Sequence, residues 1–230
     1  MLNDKEAVAI AANARQKNVA QPRRSGRDFD RIFSTFFTGH DFQGETILEL
    51  GPGQYDFARR VRDRGGLVRA IDNDAAVVEL GHHLGFEVTE ANLKQFDAAD
   101  RRGQYDGVFC KFSINAFWFE PAELEAHVTG LDAILKPDGW GWIAPWNGAR
   151  KRDRQDPNVI VHLNRHAELF RRCGWTVYEL DEQTAPCFGV TGDVTNHPLF
   201  LKNLKAPSLD SLHEQWLGRI CRRMFGMFSR

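Results

Sequence analysis

The chain has 230 residues, 42% of them apolar, with 20 glycines, enough to bury a core at the size of one α/β domain. Thirty basic residues against 31 acidic ones leave a formal charge of −1, which argues against a surface built wholesale for nucleic acid. The four cysteines (Cys110, Cys173, Cys187, Cys221) form no CxxC pair and read as reduced thiols of a cytoplasmic protein, excluding a zinc knuckle or a disulfide framework. No apolar run approaches the roughly 18 residues of a membrane span, and the opening Met-Leu-Asn-Asp-Lys-Glu lacks the order of a signal peptide.

In chain order, residues 4–20 read as a helix that the stretch Gln21–Gly26 interrupts. Phe29, Ile32, Phe33, Phe36 and Phe37 then recur at helical spacing, a stripe better explained by core packing than by a ligand lid. From residue 46 strands alternate with helices. The strand Ile47–Leu50 runs into Gly51-Pro52-Gly53, and a helix opens near Asp56. Next come a strand at Leu67–Ile71, a helix over about 74–84 and a strand at Phe86–Thr89. A fourth strand (Tyr105–Cys110), a helix (Pro121–Leu135) and a fifth strand (Gly139–Ala144) follow. A helix near 158–173, a strand at Trp175–Leu180 and a last strand at Leu199–Leu204 complete the series. This alternation predicts an α/β fold, a doubly wound and mostly parallel sheet with helices on both faces. Residues 208–230 carry Leu209, Leu212, Trp216, Ile220 and Met227 as an apolar helical stripe beside Arg219, Arg222 and Arg223.

In such a sheet ligands sit beyond the carboxyl ends of the strands, at the point where strand order reverses. There the first strand offers Glu49, Gly51 and Gly53; two glycines one residue apart turn the backbone sharply and bring it close to a ligand. Asp72 ends the second strand, 21 residues after Gly51, and a carboxylate there accepts hydrogen bonds from ribose hydroxyls. A dinucleotide fingerprint needs a third glycine where this chain has Asp56, whose charge would face the phosphates. A polyphosphate loop of the GxxxxGK[ST] type does not occur. A nucleoside ligand without phosphate fits better, and S-adenosylmethionine (SAM) is the obvious one.

Over roughly residues 45–205 the sequence resembles the class I SAM-dependent methyltransferases. Ile47-Leu48-Glu49-Leu50-Gly51-Pro52-Gly53 is similar to the family's first motif, and Ala70-Ile71-Asp72-Asn73 to its second. Ala91-Asn92-Leu93 stands where the family usually carries an acidic residue for the adenine amino group. Tyr105–Lys111 resembles the fourth strand and Leu135-Lys136-Pro137-Asp138-Gly139-Trp140-Gly141 the turn into the fifth. The resemblance implies a Rossmann-like seven-stranded sheet with an antiparallel last strand. It places Glu49 at the methionine amino group, Gly51 and Gly53 beside the cofactor, Asp72 on the ribose, Asn73 near the adenine, and Asn92 and Leu93 at the base. It also implies that Lys111 and Phe112 line the cleft. Tyr55 replaces the frequent third glycine of the first motif, where it would crowd the methionine or close over it.

The acceptor side implied by this fold comprises the loops after strands four and five and the N-terminal cap. Candidate acceptor-binding residues are Asn115, Trp118, Trp146 and Asn147, in loops that also hold Ser113, Phe117 and Phe119. The amino-methylating nucleic-acid motif (Asn/Asp)-Pro-Pro-aromatic is replaced by Ser113-Ile114-Asn115-Ala116-Phe117, and Cys187 reads as an unreactive loop thiol. His162 and His166 lie one helical turn apart without the glutamate of HExxH, so no metal site is expected; His127 reads as a surface histidine. The run Arg150-Lys151-Arg152-Asp153-Arg154 reads as a solvated loop. The expected organisation is an N-terminal helical cap (1–45), a SAM-binding domain (46–205) and a C-terminal amphipathic helix (206–230). The expected activity is methyl transfer from SAM to an oxygen or nitrogen of a small molecule, releasing S-adenosylhomocysteine (SAH), with no catalytic base singled out. A homodimer is a compatible assembly. The competing readings are an RNA or protein methyltransferase and a non-catalytic module that serves as a partner surface.

Overall fold

A computed structural model describes residues 22–95, 98–145, 157–190 and 196–206. The expected helices at 4–20 and 208–230, the run Arg150–Arg154 and the candidates Trp146 and Asn147 lie outside the described residues. Among the described residues no helix is long and apolar enough to cross a membrane.

The first helix among the described residues, α1 (Pro22–Phe36), starts inside the stretch expected to interrupt the helical pattern. Proline is tolerated in a first helical turn because its missing N–H would have had no intrahelical partner there, so Pro22 opens a helix here. Seven strands follow: β1 (Thr46–Leu50), β2 (Leu67–Asp72), β3 (Glu87–Glu90), β4 (Tyr105–Lys111), β5 (Leu135–Ala144), β6 (Thr176–Asp181) and β7 (Asn196–Lys202). The helices between them are α2 (Asp56–Arg62), α3 (Ala75–His83), α4 (Pro121–Ala133) and α5 (Pro157–Arg172). Pro121 follows a reciprocal Glu120–Glu123 capping box that fixes the start of α4.

The strands stand in the order β3-β2-β1-β4-β5-β7-β6. Pairings from β3 to β5 are parallel, and β7 runs antiparallel to both of its neighbours. The chain order therefore reverses between β1 and β4, which makes the crevice at their carboxyl ends the natural ligand position. Two expected strands begin earlier in the structure. β5 already includes the Lys-Pro-Asp-Gly turn, because Leu135 pairs with Tyr105 before the register jumps to Trp140 opposite Gly107; Lys136 spans the irregularity to Asp106 at 2.7 Å. β7 begins at Asn196 rather than Leu199, paired with Asp181 of β6.

Strand periodicity decides what the two faces bury. Leu48 and Leu50 join the core beneath α4 and α5, with Leu124, Val128, Leu131, Leu169 and Phe170. Ile47 joins the opposite core with α1, α2 and α3. That second core is aromatic: Phe57 stacks on Phe109 at 3.7 Å, Phe109 on Trp142 at 4.8 Å, and Phe33 and Phe37 of the N-terminal stripe close over Phe57. The stripe is thus core packing.

Candidate functional site

Glu49 occupies the same face of β1 as Ile47, one residue before the strand ends, and is 2% exposed. Its Oε2 is buried without a hydrogen-bond partner. Burial in the first place, and then the nearby charge of Asp56, pushes its pKa well above the ordinary carboxylate range; the backbone amide of Ala58 in α2 opposes that, and Asp72 adds to the rise. Immediately after it the backbone turns through Gly51 (φ 68°) and Gly53 (φ 55°). Gly51 is tied on both sides: its N–H donates to Ile71 O at 2.8 Å, and its carbonyl accepts from Ser113 Oγ at 3.2 Å. A Cβ at Gly51 would lie 1.9 Å from that Oγ, whereas a Cβ at Gly53 would meet nothing within 4 Å. The loop is closed at its first glycine and open at its second.

Tyr55 neither crowds this opening nor covers it. Held at φ 61°, its ring is fully buried, stacks on Phe86 at 5.1 Å and donates its hydroxyl to Val77 O at 2.9 Å. The residue that replaces a glycine is a core residue under α3.

On the neighbouring strand, Asp72 ends β2 half-buried, and desolvation raises its pKa, against the lowering effect of the Asp74 amide that its Oδ1 accepts at 2.9 Å. The helix that follows is capped by Asp74, whose Oδ1 accepts from Ala76 N, so Asp72 is not its N-cap. Asn73 is exposed beside it. Asn92 is also exposed, its Oδ1 accepting from Lys94 N at 2.9 Å, and Leu93 is buried behind it. The backbone links these two places, because Ala91 N donates to Asp72 O at 3.0 Å. Glu49, Gly51, Gly53, Asp72, Asn73, Asn92 and Leu93 thus gather at the carboxyl ends of β1, β2 and β3.

Lys111, at the end of β4, is paired with the first described helix: its Nζ lies 3.0 Å from Asp28 Oδ2 of α1. Phe112, next in line, takes a left-handed conformation (φ 60°) and donates its N–H to Ala144 O at 2.7 Å. Asn115 caps a short turn by accepting from Phe117 N at 3.0 Å, which leaves Phe117 46% and Trp118 42% exposed. His162 stacks on Phe117 and bonds to Ala116 O at 2.8 Å. His166 is buried between Phe170 and Phe200. His127 is not a surface residue: it shares the inner side of α4 with Leu124 and Val128, is 7% exposed and stacks on Phe119 at 4.5 Å. Cys187 sits half-buried in the turn Ala185–Phe188, its Sγ 3.9 Å from Gln183 O. Among the described residues no group of three or more metal-ligating side chains occurs.

No protein-family model and no curated protein sequence matches the chain. Solved structures do. A protein from Listeria monocytogenes assigned as a SAM-dependent methyltransferase superposes with a TM-score of 0.56 at 11% identity, over 79% of this chain and 99% of its own. A chain from the Haloferax volcanii complex of the Trm112 methyltransferase activator with a methyltransferase gives 0.53 at 19% identity, over 90% and 100%. A SAM-dependent methyltransferase from Aquifex aeolicus gives 0.51 at 17% identity, over 83% and 97%. The chain has the class I methyltransferase fold.

A methyltransferase fold implies a SAM cofactor, and the residues present fit one. Glu49 Oε2 is a buried acceptor lacking a donor, which an ammonium supplies, and the open side of Gly53 leaves room for a ligand against the backbone. Asp56, fatal to a pyrophosphate, is harmless to a ligand without phosphate. Sequence reading missed Asp28. The signal was present: Asp28 precedes Ile32 by four residues, which places a carboxylate on the buried side of an otherwise aromatic stripe.

Proposed function

We propose that the protein binds SAM at the carboxyl ends of β1 and β2 and transfers its methyl group to an oxygen or nitrogen of a small-molecule acceptor. The observation that carries this reading is Glu49, a buried carboxylate with a donorless oxygen at the end of the strand that leads into the Gly51–Gly53 turn. A charge in that position calls for a cationic partner, because a buried polar atom left unsatisfied costs about 1–3 kcal/mol. In this reading Glu49 holds the methionine ammonium, Gly51 and Gly53 let the backbone pass beside the amino-acid chain, and Asp72 accepts from the ribose hydroxyls. Asn73, Asn92 and Leu93 border the adenine. When bound, SAM supplies an electrophilic methyl carbon: the acceptor lone pair bonds to it, the S–CH3 electrons return to sulfur to give SAH, and the acceptor proton leaves to solvent.

For that displacement the protein's contribution is to align the acceptor and exclude water. The exposed rings of Phe117 and Trp118, with Asn115 beside them, stand in the loop after β4 and favour a flat or apolar acceptor. No catalytic base is assigned. Isothermal titration with SAM and SAH tests the reading. One saturating site is expected, weakened roughly ten- to a hundredfold in Asp72→Ala, the worth of charge-assisted hydrogen bonds to a ribose. Failure of both ligands to bind overturns it.

A further inference from the structure

The N-terminal helix places a carboxylate at the flank of this cleft. The Asp28 and Lys111 side chains are 4% and 13% exposed, and their ion pair joins α1 to the end of β4. The Lys111 ammonium also lies over two rings, 5.3 Å from the centre of Phe29 and 5.1 Å from that of Phe112. α1 is held in place independently, by Arg31 donating to Pro186 O at 2.8 Å and by the burial of Phe29, Ile32, Phe33 and Phe36. The register fixes where the lysine stands. Leu50 pairs with Cys110, so the next residue along β4 comes level with Gly51, and Ser113, two residues on, touches the Gly51 carbonyl. Strand alternation puts Lys111 on the same face as Phe109, the face shared by Glu49 and Asp72.

A lysine at the strand-order reversal is at odds with the ligand proposed for it. SAM carries a permanent positive charge on sulfur in addition to its ammonium; SAH has the same skeleton with a neutral sulfur. An uncompensated ammonium beside the cleft would repel the substrate form and spare the product, the wrong preference for a methyltransferase. We infer that Asp28 is a positioning residue for cofactor charge: by pairing with Lys111 it cancels the lysine's field at the cleft, so that the protein accepts the cationic sulfonium cofactor and does not favour its neutral product. The inference rests on the SAM-binding reading above. It adds to that reading a residue from the N-terminal helix that acts through Lys111 rather than by touching the cofactor.

The test is the ratio of SAM to SAH affinity, which a merely structural contact does not move. The full chain is titrated calorimetrically with each ligand at one fixed pH, as wild type, Asp28→Asn, Lys111→Met and the double variant. A bare unit charge acting through a protein interior changes the affinity of a cation by on the order of tenfold. Asp28→Asn is expected to lower the SAM/SAH affinity ratio by about that factor, since it removes the lysine's counter-charge, and Lys111→Met to raise it, since it removes the ammonium itself. The double variant, in which the net charge of the pair is again zero, is expected to return to within about twofold of wild type. Equal weakening of both ligands in Asp28→Asn, unrelieved in the double variant, would show that the pair only docks α1 and would overturn the inference, as would an unchanged ratio. Wild-type protein that binds neither ligand overturns the underlying reading instead, a result visible before any variant is made.

Discussion

Glu49→Gln separates what the buried carboxylate costs the protein from what it contributes to binding. In the folded chain the Glu49 pKa is raised, first by burial and then by Asp56, above the 4.5 of an ordinary glutamate. The direction of the pH effect follows. Below the ordinary carboxylate range both folded and unfolded chains hold the proton, and stability is complete. As pH rises past that range the unfolded chain releases its proton first, so stability falls until the folded group also ionises, at no more than about 1.4 kcal/mol per pH unit. Glutamine keeps the shape without the titration. The stability of Glu49→Gln relative to wild type should therefore climb with pH through this window, whatever other groups titrate, because their contributions cancel in the difference. Binding runs the other way. An ammonium supplies the missing donor to Oε2, so SAM binds the ionised form, and wild-type affinity should rise with pH where stability falls. The variant should lose a charge-assisted bond worth about 1.5–3 kcal/mol, or roughly ten- to 150-fold in Kd, together with that pH dependence. Urea unfolding from about pH 5 to 8, with and without saturating SAM, reads both effects, and the m-value checks that the folded state is unchanged. Superimposable pH profiles for the two proteins would refute the argument that Glu49 is uncompensated, and equal SAM affinities would refute its role.

Two further outcomes concern stability. Gly51→Ala forces a side chain into φ 68° and a Cβ to within 1.9 Å of Ser113 Oγ; left-handed strain of about 1–2 kcal/mol plus the displaced hydroxyl bond should cost about 2–4 kcal/mol by denaturant unfolding. Adding Ser113→Gly should recover the steric part and leave the strain. At the acid end, burial lowers His127 to about 4 from 6.5, so its contribution is whole above the ordinary histidine range and is lost as pH falls toward the folded value. His127→Phe should flatten the acid limb of the stability profile by up to about 3 kcal/mol, with His166, lowered to about 3 by burial, sustaining the rest.

The sheet was legible because its signals are local: short apolar runs at β1, β2 and β4, and glycines where the chain leaves β1. Boundaries failed where a long-range partner decides them. β5 reaches back to Leu135 because Asp106 and Lys136 bridge an irregular register, and β7 starts at Asn196 because β6 is there to pair with it. Glu49 and Asp72 were readable at strand ends, although the state of Glu49 was not, since burial is a property of the assembled face. Tyr55 misled because one residue's difference from a glycine pattern does not say which way a ring turns; Phe86 and the Val77 carbonyl settle that. Lys111 was readable at the end of β4, but its ion-pair partner, 83 positions away in α1, was not. His127 was misplaced for a similar reason, its inward orientation being set by the Phe119 ring.

The insertion of β7 between β5 and β6 has a consequence for how the polypeptide matures. β6 pairs with β7 alone, and β7 is the second partner that closes the outer side of β5. While synthesis has not yet reached Lys202, the β5 side of the five parallel strands is a bare edge at Gly141, Trp142 and Ile143, and β6 has no ladder to join. Such an edge is a template for pairing with another nascent chain. Truncation before Asn196 should therefore yield aggregates on expression rather than a shortened soluble domain, and β7, the last strand among the described residues, guards against self-association as well as completing the core.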